Sequence, residues 1–397
     1  MKSIEFKLYL KPAQKEILSS WMGGCCRIFN RALEQRIKAH KRRGESVNYN
    51  QQQGLLTKQR RRIQEIASIP VVFERDALRR VDRGMKAFFR RVKSKELKAG
   101  FPRFRSLKRY NSMEYLATGN YVRGDSLVSI PKLGLVRIRA GKQRIQKTQR
   151  MLRIIRRASG WYGQVIVDEV TTIKNPRDEG RVGVDVGLES FATLSNSEQI
   201  ENPRFYRKAE RKTRGLQRAL SRKKKGSMNR RKSVVKLKRQ HEKIAARRRA
   251  FCHKQSTELV RRFPFIATEK LNINGMVKNR HLSKSIRDAS WGMFLSQLTY
   301  KAANAGRLFI QVSPRGTSQE CPNCGAIKKK KLSEREHICG CGLRCHRDHA
   351  AARVILARGL VSTGSTRPSM DPASDLMLVA SDQAGQLKRE DLPLTER

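Results

Sequence analysis

Hydrophobic positions change their spacing several times along the chain, and each change marks a different predicted element. Residues 4–10 alternate apolar and polar side chains, which is the period of a half-buried strand. Pro12 then suits the first position of a helix. Apolar residues recur at helical spacing from Ala13 to Arg43, and again over 55–66 and 74–92. The N-terminal part is therefore predicted to be one strand followed by a helical bundle.

The pattern changes again after Gly100, where short strands are predicted. Residues 101–105 form a basic and aromatic extended segment, which either leads into a sheet or lies along nucleic acid with its rings against the bases. Gly160 marks the turn of a predicted hairpin. With the strand at 4–10, these segments predict a small β-barrel or sandwich that the helices interrupt. The predicted strands are 127–130, 135–138, 151–155 and 164–167.

A polar, turn-forming segment at 175–180 predicts a linker to a second region of strands and helices. In that region, 181–194 has the pattern of a β-hairpin, and short buried strands are predicted at 265–269 and 308–312. An amphipathic helix is predicted over 291–303. The whole pattern indicates an α+β protein with more than one domain.

Residues 204–254 are densely basic, with Glu210 and Glu242 as the only acids. Apolar residues at partly helical spacing, broken at 223–227, predict two antiparallel helices here. A charge run is usually a solvated face, but charge this dense repels itself unless a partner neutralises it. We therefore expect this region to contact nucleic acid.

The composition extends this expectation to the whole chain. Its 397 residues include 88 Lys and Arg against 34 Asp and Glu, a formal charge of +54. A polyanion such as DNA or RNA, held through its phosphates, is the natural partner. No apolar run approaches the ~20 residues of a membrane span, and the N-terminus lacks the apolar core of a signal peptide. We expect a cytoplasmic, nucleoid-associated protein of a bacterium or archaeon, without a membrane partner.

The eight cysteines fall into two groups. Cys25, Cys26 and Cys252 lie in helical surroundings, where reduced thiols are expected. The pairs Cys321–Cys324 and Cys339–Cys341 are each followed by glycine, as in turns that bind zinc through four thiolates. Because these four positions leave no site open, we expect one structural Zn²⁺. The fallback ligands are Cys345, His337 and His346.

Three acids stand at the ends of apolar segments. Asp185 lies between two glycines and faces away from Val184, while Glu269 ends a predicted strand and Asp348 begins a predicted helix. Each has an ordinary alternative: a turn residue or the phosphate-binding strand of a kinase, a partner of Lys270, or a helix N-cap. Together they suit two Mg²⁺ ions about 3.5–4 Å apart that hydrolyse a phosphodiester. No Gly-rich adenosine loop supports kinase chemistry.

These segments resemble the TnpB family, transposon-encoded RNA-guided DNA endonucleases with a RuvC-like nuclease, related to compact type V CRISPR effectors. The matching motifs are Gly183–Gly187, Thr268–Asn272, Thr317–Gly325 and Asp348–Arg353. Asn is more usual in the family where His349 stands. The resemblance covers roughly residues 1–360.

The resemblance implies an RNase H-like sheet that holds Asp185, Glu269 and Asp348, and an inserted zinc module with Cys321, Cys324, Cys339 and Cys341 as ligands. It also implies a guide RNA from the transposon end, a double-stranded DNA target beside a short flanking motif, and a monomer in the complex. The expected domains are a wedge β-barrel (1–10 and 101–177), a helical recognition domain (11–100), the RuvC-like domain (178–312 and 346–361), the zinc-binding module (313–345) and a disordered tail (362–397).

Two alternatives remain open. A binding-only relative would block DNA without cutting it, although such proteins tend to lose one of the acids, and all three are present here. A nucleic-acid-binding regulator of transposition would need none of them.

Overall fold

The computed structural model describes residues 2–94, 99–116, 118–124, 126–139, 145, 148–168, 177, 179–331 and 334–364. The predicted tail lies outside these residues from position 365 onwards. The chain divides into two compact units, Met1–Val170 and Thr171–Arg397. Both contain helices and strands, so the predicted α+β class is confirmed. Within the ranges given, no helix has the length and apolar character needed to cross a membrane.

The first unit follows the predicted order of elements closely. Pro12 is the first residue of its long helix, as predicted, and the hairpin at Gly160 is present. Its helices pack on one apolar core with the sheet. The elements are β1 (Lys2–Tyr9), α1 (Pro12–Arg43), α2 (Tyr49–Arg62), α3 (Gln64–Ser68), α4 (Val71–Lys93), β2 (Ser112–Tyr115), β3 (Val122–Arg123), β4 (Leu127–Ile130), β5 (Gly134–Arg139), β6 (Gln149–Arg157) and β7 (Gly160–Val167).

The predicted closed barrel is wrong. The seven strands form an open sheet in the order β2-β6-β7-β1-β5-β4-β3, and no described ladder joins β2 to β3. Because β3 has only two residues, it offers too short an edge to close the sheet. The buried side chain of Gln149 instead accepts hydrogen bonds from the N–H groups of Tyr121 and Val122, at 2.8 and 3.0 Å. These two hydrogen bonds from one side chain connect β6 to β3, at a place where a closed barrel would have a ladder of backbone hydrogen bonds.

The basic and aromatic segment at 101–105 is not a strand. Asn30 holds it on α1 through two 2.8 Å hydrogen bonds, one to and one from the backbone of Arg105. Phe101 and Phe104 remain 42% and 58% exposed. The interpretation as a strand leading into the sheet is therefore wrong, and exposed rings and guanidinium groups are left at the surface.

Part of the basic sequence in the first unit points inward. Arg36, only 8% exposed, donates to Gln52 at 2.9 Å and to Asp82 at 3.2 Å. Arg60 of α2 forms an ion pair with the fully buried Glu74 of α4. Removing one partner of a buried pair leaves an uncompensated charge, so these guanidinium groups stabilise the helical packing.

The second unit is built on a five-stranded sheet of order β10-β9-β8-β11-β12. The first three strands are antiparallel, whereas β8, β11 and β12 are parallel. The predicted basic helices correspond to α5 and α6. The elements are β8 (Arg181–Asp185), β9 (Ser190–Leu194), β10 (Gln199–Glu201), α5 (Phe205–Ser221), α6 (Met228–Arg262), β11 (Phe265–Glu269), α7 (Ile273–Met276), α8 (Ser283–Ala289), α9 (Trp291–Asn304), β12 (Leu308–Val312), β13 (Glu336–Ile338), β14 (Arg344–His346) and α10 (Arg347–Val361).

Helix α10 lies directly against β8 and β11. A Cβ atom on Gly183 of β8 would stand 2.0 Å from the carbonyl oxygen of Ala352, and one on Gly359 of α10 would stand 2.7 Å from the Cβ of Ala267. Both distances are far below normal contact, so only glycine permits this packing. Since Ala352 contacts β8 while Gly359, later in the helix, contacts β11, the two glycines fix how α10 crosses the sheet.

We predict that Gly183→Ala lowers the free energy of unfolding by about 1–3 kcal/mol, the usual cost of overpacking a core. Gly215→Ala is a matched control, because Gly215 lies inside α5 with open space around it. This control should be neutral or stabilise the protein by up to about 1 kcal/mol. Denaturant unfolding measures both variants. Equal stability of Gly183→Ala and the wild type would contradict the close packing of α10.

Candidate active site and metal centre

Asp185 and Glu269 end two neighbouring parallel strands. The last register pair of β8 and β11 joins Val184 to Thr268, so the two acids follow side by side at the carboxyl ends. Side chains two residues apart share one face of a strand. Asp185 therefore shares the face of Gly183, which α10 covers. Glu269 stands in the same relation to Ala267, so both acids lie on the face of the sheet that carries α10.

Asp348 lies in the first turn of α10. The N-cap is His346, whose Nδ1 accepts the N–H of Asp348 at 3.3 Å. The alternative that Asp348 is the N-cap is therefore wrong. Because the C-terminal part of α10 contacts the middle of β11 at Gly359, its N-terminal turn lies toward the carboxyl ends of the strands. The structure thus brings the third predicted acid to the first two.

The three acids interact electrostatically. Partial burial, then the charges of Glu269 and Asp348, raise the pKa of Asp185 well above its usual value, although Arg347 opposes this effect. Burial also raises the pKa of Glu269, against the opposing effects of the Thr317 hydroxyl, which donates to the Glu269 carboxylate, and of Arg358. A cluster of carboxylates with these interactions favours a bound cation, which would relieve the repulsion.

The donor set fits a hard cation. Carboxylate oxygens are the ligands that Mg²⁺ prefers, together with several waters that it retains. Among the residues that the structure describes, the three carboxylates do not form a close group of metal ligands of the kind that the thiols described below form.

Several residues that the sequence did not single out hold Asp348 in place. His349 contacts the carbonyl oxygen of Ser195 at 3.0 Å and the hydroxyl of Ser197 at 3.1 Å, which ties α10 to the turn after β9. Arg347 donates to Ser318 at 3.2 Å and to the carbonyl oxygen of Lys331 at 2.9 Å. The only sequence signal for these roles is that both residues flank Asp348.

The four predicted thiols come together. Their sulfur atoms all lie within 4.8 Å of one another, with Cys321 and Cys341 at 3.7 Å and Cys324 and Cys339 at 3.5 Å. Four sulfurs around Zn²⁺ at 2.3 Å in a tetrahedron would stand about 3.8 Å apart. The observed spacing therefore fits a four-cysteine metal site.

The glycine after each pair has the predicted role. Gly325 and Gly342 have φ values of 76° and 87°, in the left-handed region that favours glycine. Their N–H groups donate to the carbonyl oxygens of Cys321 and Cys339, which closes each turn. The fallback ligands lie outside this group of four: His346 caps α10, while His337 and Cys345 pair across β13 and β14.

We predict that Asp185→Asn raises the thermal midpoint in EDTA, by about 2–4 °C for each kcal/mol of repulsion removed. The matched control is Asp288→Asn. Asp288 is also buried, but its charge is paired with Arg248 at 2.8 Å, so this variant should unfold at a lower temperature. Calorimetry measures both. A lower midpoint for Asp185→Asn would show that Asp185 is a structural turn residue.

We predict that Cys339→Ser loses the bound zinc, whereas Cys345→Ser keeps one ion per chain, because Cys345 lies outside the four-sulfur group. Elemental analysis of protein purified without chelator measures the zinc content. Retention of zinc by Cys339→Ser together with its loss from Cys345→Ser would reassign the ligands.

Three family profiles match the chain. The IS605 OrfB profile, described as "Probable transposase", matches residues 164–280. A profile described as "Cas12f1-like, TNB domain" matches 291–355, which includes the four thiols, and a profile described as "Helix-turn-helix domain" matches 1–45. In the structure, the last range contains β1 and the single continuous helix α1.

Two relatives match nearly the whole chain. A protein of Streptomyces pristinaespiralis named "Putative RNA-guided DNA endonuclease" is 31% identical over 91% of this chain and 90% of its own length. The "Putative RNA-guided DNA endonuclease InsQ" of Escherichia coli is 30% identical over 89% and 92%. A Cas12f1 complex with single guide RNA and target DNA aligns over 89% of this chain and 98% of its own, but its TM-score of 0.34 and 14% identity establish no common fold. The extent of the sequence identity does establish the family: this chain belongs to the IS605 OrfB, or TnpB, family.

Proposed function

We propose that this protein is an RNA-guided DNA endonuclease associated with a transposable element. The observation that carries the proposal is the convergence of Asp185, Glu269 and Asp348 on one side of the sheet. Relatives that match about nine-tenths of the chain carry the corresponding name. A regulator that only binds nucleic acid would have no use for a cluster in which Glu269 and Asp348 raise the pKa of Asp185.

The second unit would act as a RuvC-like nuclease. Its sheet combines three antiparallel strands with two parallel ones, which supports the RNase H-like arrangement. Asp185, Glu269 and Asp348 would hold two Mg²⁺ ions. When bound, the ions activate the attacking water and stabilise the leaving oxygen of the phosphodiester. The Thr317 hydroxyl orients the carboxylate of Glu269, and His349 and Arg347 fix the helix turn that carries Asp348.

The remaining parts of the chain would bind nucleic acid and form the zinc-binding module. Helices α5 and α6 present mostly exposed Lys and Arg side chains, which would bind guide RNA and target DNA through phosphates. We also propose the domain boundaries expected from the resemblance, with an open sheet in place of the closed barrel. The RNA–protein complex would contain one copy of the chain. Zn²⁺ at Cys321, Cys324, Cys339 and Cys341 would stabilise the fold of the inserted module.

We predict that Asp185→Ala, in protein purified with its bound RNA, lowers the cleavage of matching DNA at least about a thousandfold. This corresponds to the several kcal/mol of charge stabilisation that a bound metal supplies. Binding of RNA and of target DNA should persist. Gel analysis of cleavage and filter binding of the same preparation measure the two properties.

Glu201→Gln is the matched control, because Glu201 is an exposed acid on the same sheet and should cut at the wild-type rate. Loss of DNA binding in Asp185→Ala would make this acid structural. A wild-type protein that binds a defined RNA and its matching DNA without cutting in Mg²⁺ would instead be the cleavage-deficient repressor.

A further inference from the structure

A polar cavity of about 720 Å³ opens in the second unit. Its walls are the turn after β8, the start of α5, helix α8 and the residue before β13. Three arginines line it: Arg204, Arg207 and Arg335. Two acids, Glu189 and Asp288, line it as well. Whether the cavity attracts an anion depends on how much of this negative charge is already balanced by positive groups outside the cavity.

Asp288 is committed to the protein. Its carboxylate accepts two hydrogen bonds from Arg248, at 2.8 and 3.1 Å. It also accepts the N–H groups of Tyr206 at 2.8 Å and Arg207 at 3.1 Å, and so caps α5. With its charge balanced by Arg248, Asp288 does not neutralise the cavity arginines. Glu210, whose charge also acts on Arg207, is itself shared between Arg214 and Lys284.

Glu189, the other acid of the cavity, forms an ion pair with only one of the three arginines, and this ion pair is weak. Glu189 pairs with Arg335 at 3.1 Å, but both side chains are more than half exposed, at 58% and 54%. Such exposed pairs contribute about 0–1 kcal/mol and exchange readily. Arg207 donates to the neutral hydroxyl of Ser285 at 3.2 Å. In the described part of the chain, the Arg204 guanidinium has no ion-pair partner, and its backbone has the left-handed φ of 47° that non-glycine residues rarely adopt.

The cavity adjoins two elements of the acidic site. Leu188, which lines it, follows Asp185 by three residues on the turn that leaves β8. The carbonyl oxygen of Arg335 accepts the N–H of Arg347, next to Asp348, at 2.7 Å. A nucleic-acid strand that enters the carboxylate cluster therefore has this cavity beside it.

We infer that Arg204, Arg207 and Arg335 bind one backbone phosphate of the DNA strand being cut and position that strand at the carboxylates. Guanidinium groups are always charged, and their planar fork matches phosphate oxygens. The inference rests on the proposed function. These are positioning residues, since they hold a phosphate other than the one that reacts.

The first test measures binding without requiring a guide or cleavage. The affinity of the chain for a fluorescein-labelled thymidine oligonucleotide of about 20 nucleotides is titrated in EDTA at increasing KCl. The slope of log K against log salt is negative, and each lost phosphate contact makes it less steep by about 0.7 for single strands. The double variant Arg204→Gln/Arg207→Gln should therefore have a slope less steep by about 0.7 if both arginines share one phosphate. Lys278→Gln/Arg280→Gln removes the same charge from two exposed residues of the second unit that lie outside the cavity and outside α5 and α6, and should leave the slope unchanged.

The second test locates the phosphate and uses the complex with its bound RNA. Single phosphates of the cut strand are replaced in turn by uncharged methylphosphonates. In the wild type, one replacement away from the cut position should slow cleavage about tenfold, the usual scale for a hydrogen bond to a charged group. In Arg204→Gln/Arg207→Gln that replacement should have no further effect, while the Lys278→Gln/Arg280→Gln control should stay sensitive.

The outcomes separate the inference from the proposed function. Equal slopes for both double variants, or a methylphosphonate penalty that persists in Arg204→Gln/Arg207→Gln, would overturn the cavity assignment and leave the nuclease intact. A lower salt dependence in Arg204→Gln/Arg207→Gln without any penalty from a methylphosphonate of the cut strand would place the phosphate in another strand, and would also overturn the inference. A wild type that does not cut would refute the nuclease, while the salt titration would still decide whether the cavity binds phosphate.

Discussion

Asp185 and the two carboxylates that raise its pKa, Glu269 and Asp348, are held at one edge of a sheet by packing that does not involve their charge. Helix α10 contacts β8 and β11 at Gly183 and Gly359, where no larger residue fits, and this contact brings Asp348 to Asp185 and Glu269. On the opposite face, Val182 and Val184 are fully buried in the apolar core. Burial of apolar surface, at roughly 25 cal/mol per Å², therefore offsets the electrostatic cost of the cluster. Functional sites commonly lower the stability of a protein in this way.

The two units use their positive charge differently. In the first, the buried acid Glu74 of α4 pairs with Arg60 of α2, and the buried acid Asp76 pairs with Arg80 within α4, so part of the guanidinium charge is balanced inside the unit. In the second, α5 and α6 carry a long series of exposed Lys and Arg with few acids. Charge that no internal partner balances favours binding of a polyanion and makes that binding dependent on salt. The formal +54 of the chain thus overstates the charge available to nucleic acid.

Most helices and strands could be predicted from the sequence, because the spacing of apolar residues and the residues that form turns are properties of positions close together in the chain. The strands at 127–130, 265–269 and 308–312 have the bounds expected. Closure of the first sheet was mispredicted, because it depends on whether the edge strands β2 and β3 pair, and the hydrophobic pattern of each strand does not show this. The three acids and four thiols were predicted from chemistry and spacing. His349, Thr317 and the arginine cavity were not, since their roles come from contacts between residues far apart in the chain.

The four-cysteine module contacts the acidic site at both of its ends. Thr317 and Glu320, just before Cys321, bind Glu269 and Arg358, the latter at 2.6 Å. At the other end of the module, the backbone N–H of Arg347 donates to the carbonyl oxygen of Arg335. A segment this short buries little core of its own, so a metal ion bound by the four thiols would stabilise its fold. Such an ion would order the same contacts that hold Glu269 and the helix turn of Asp348.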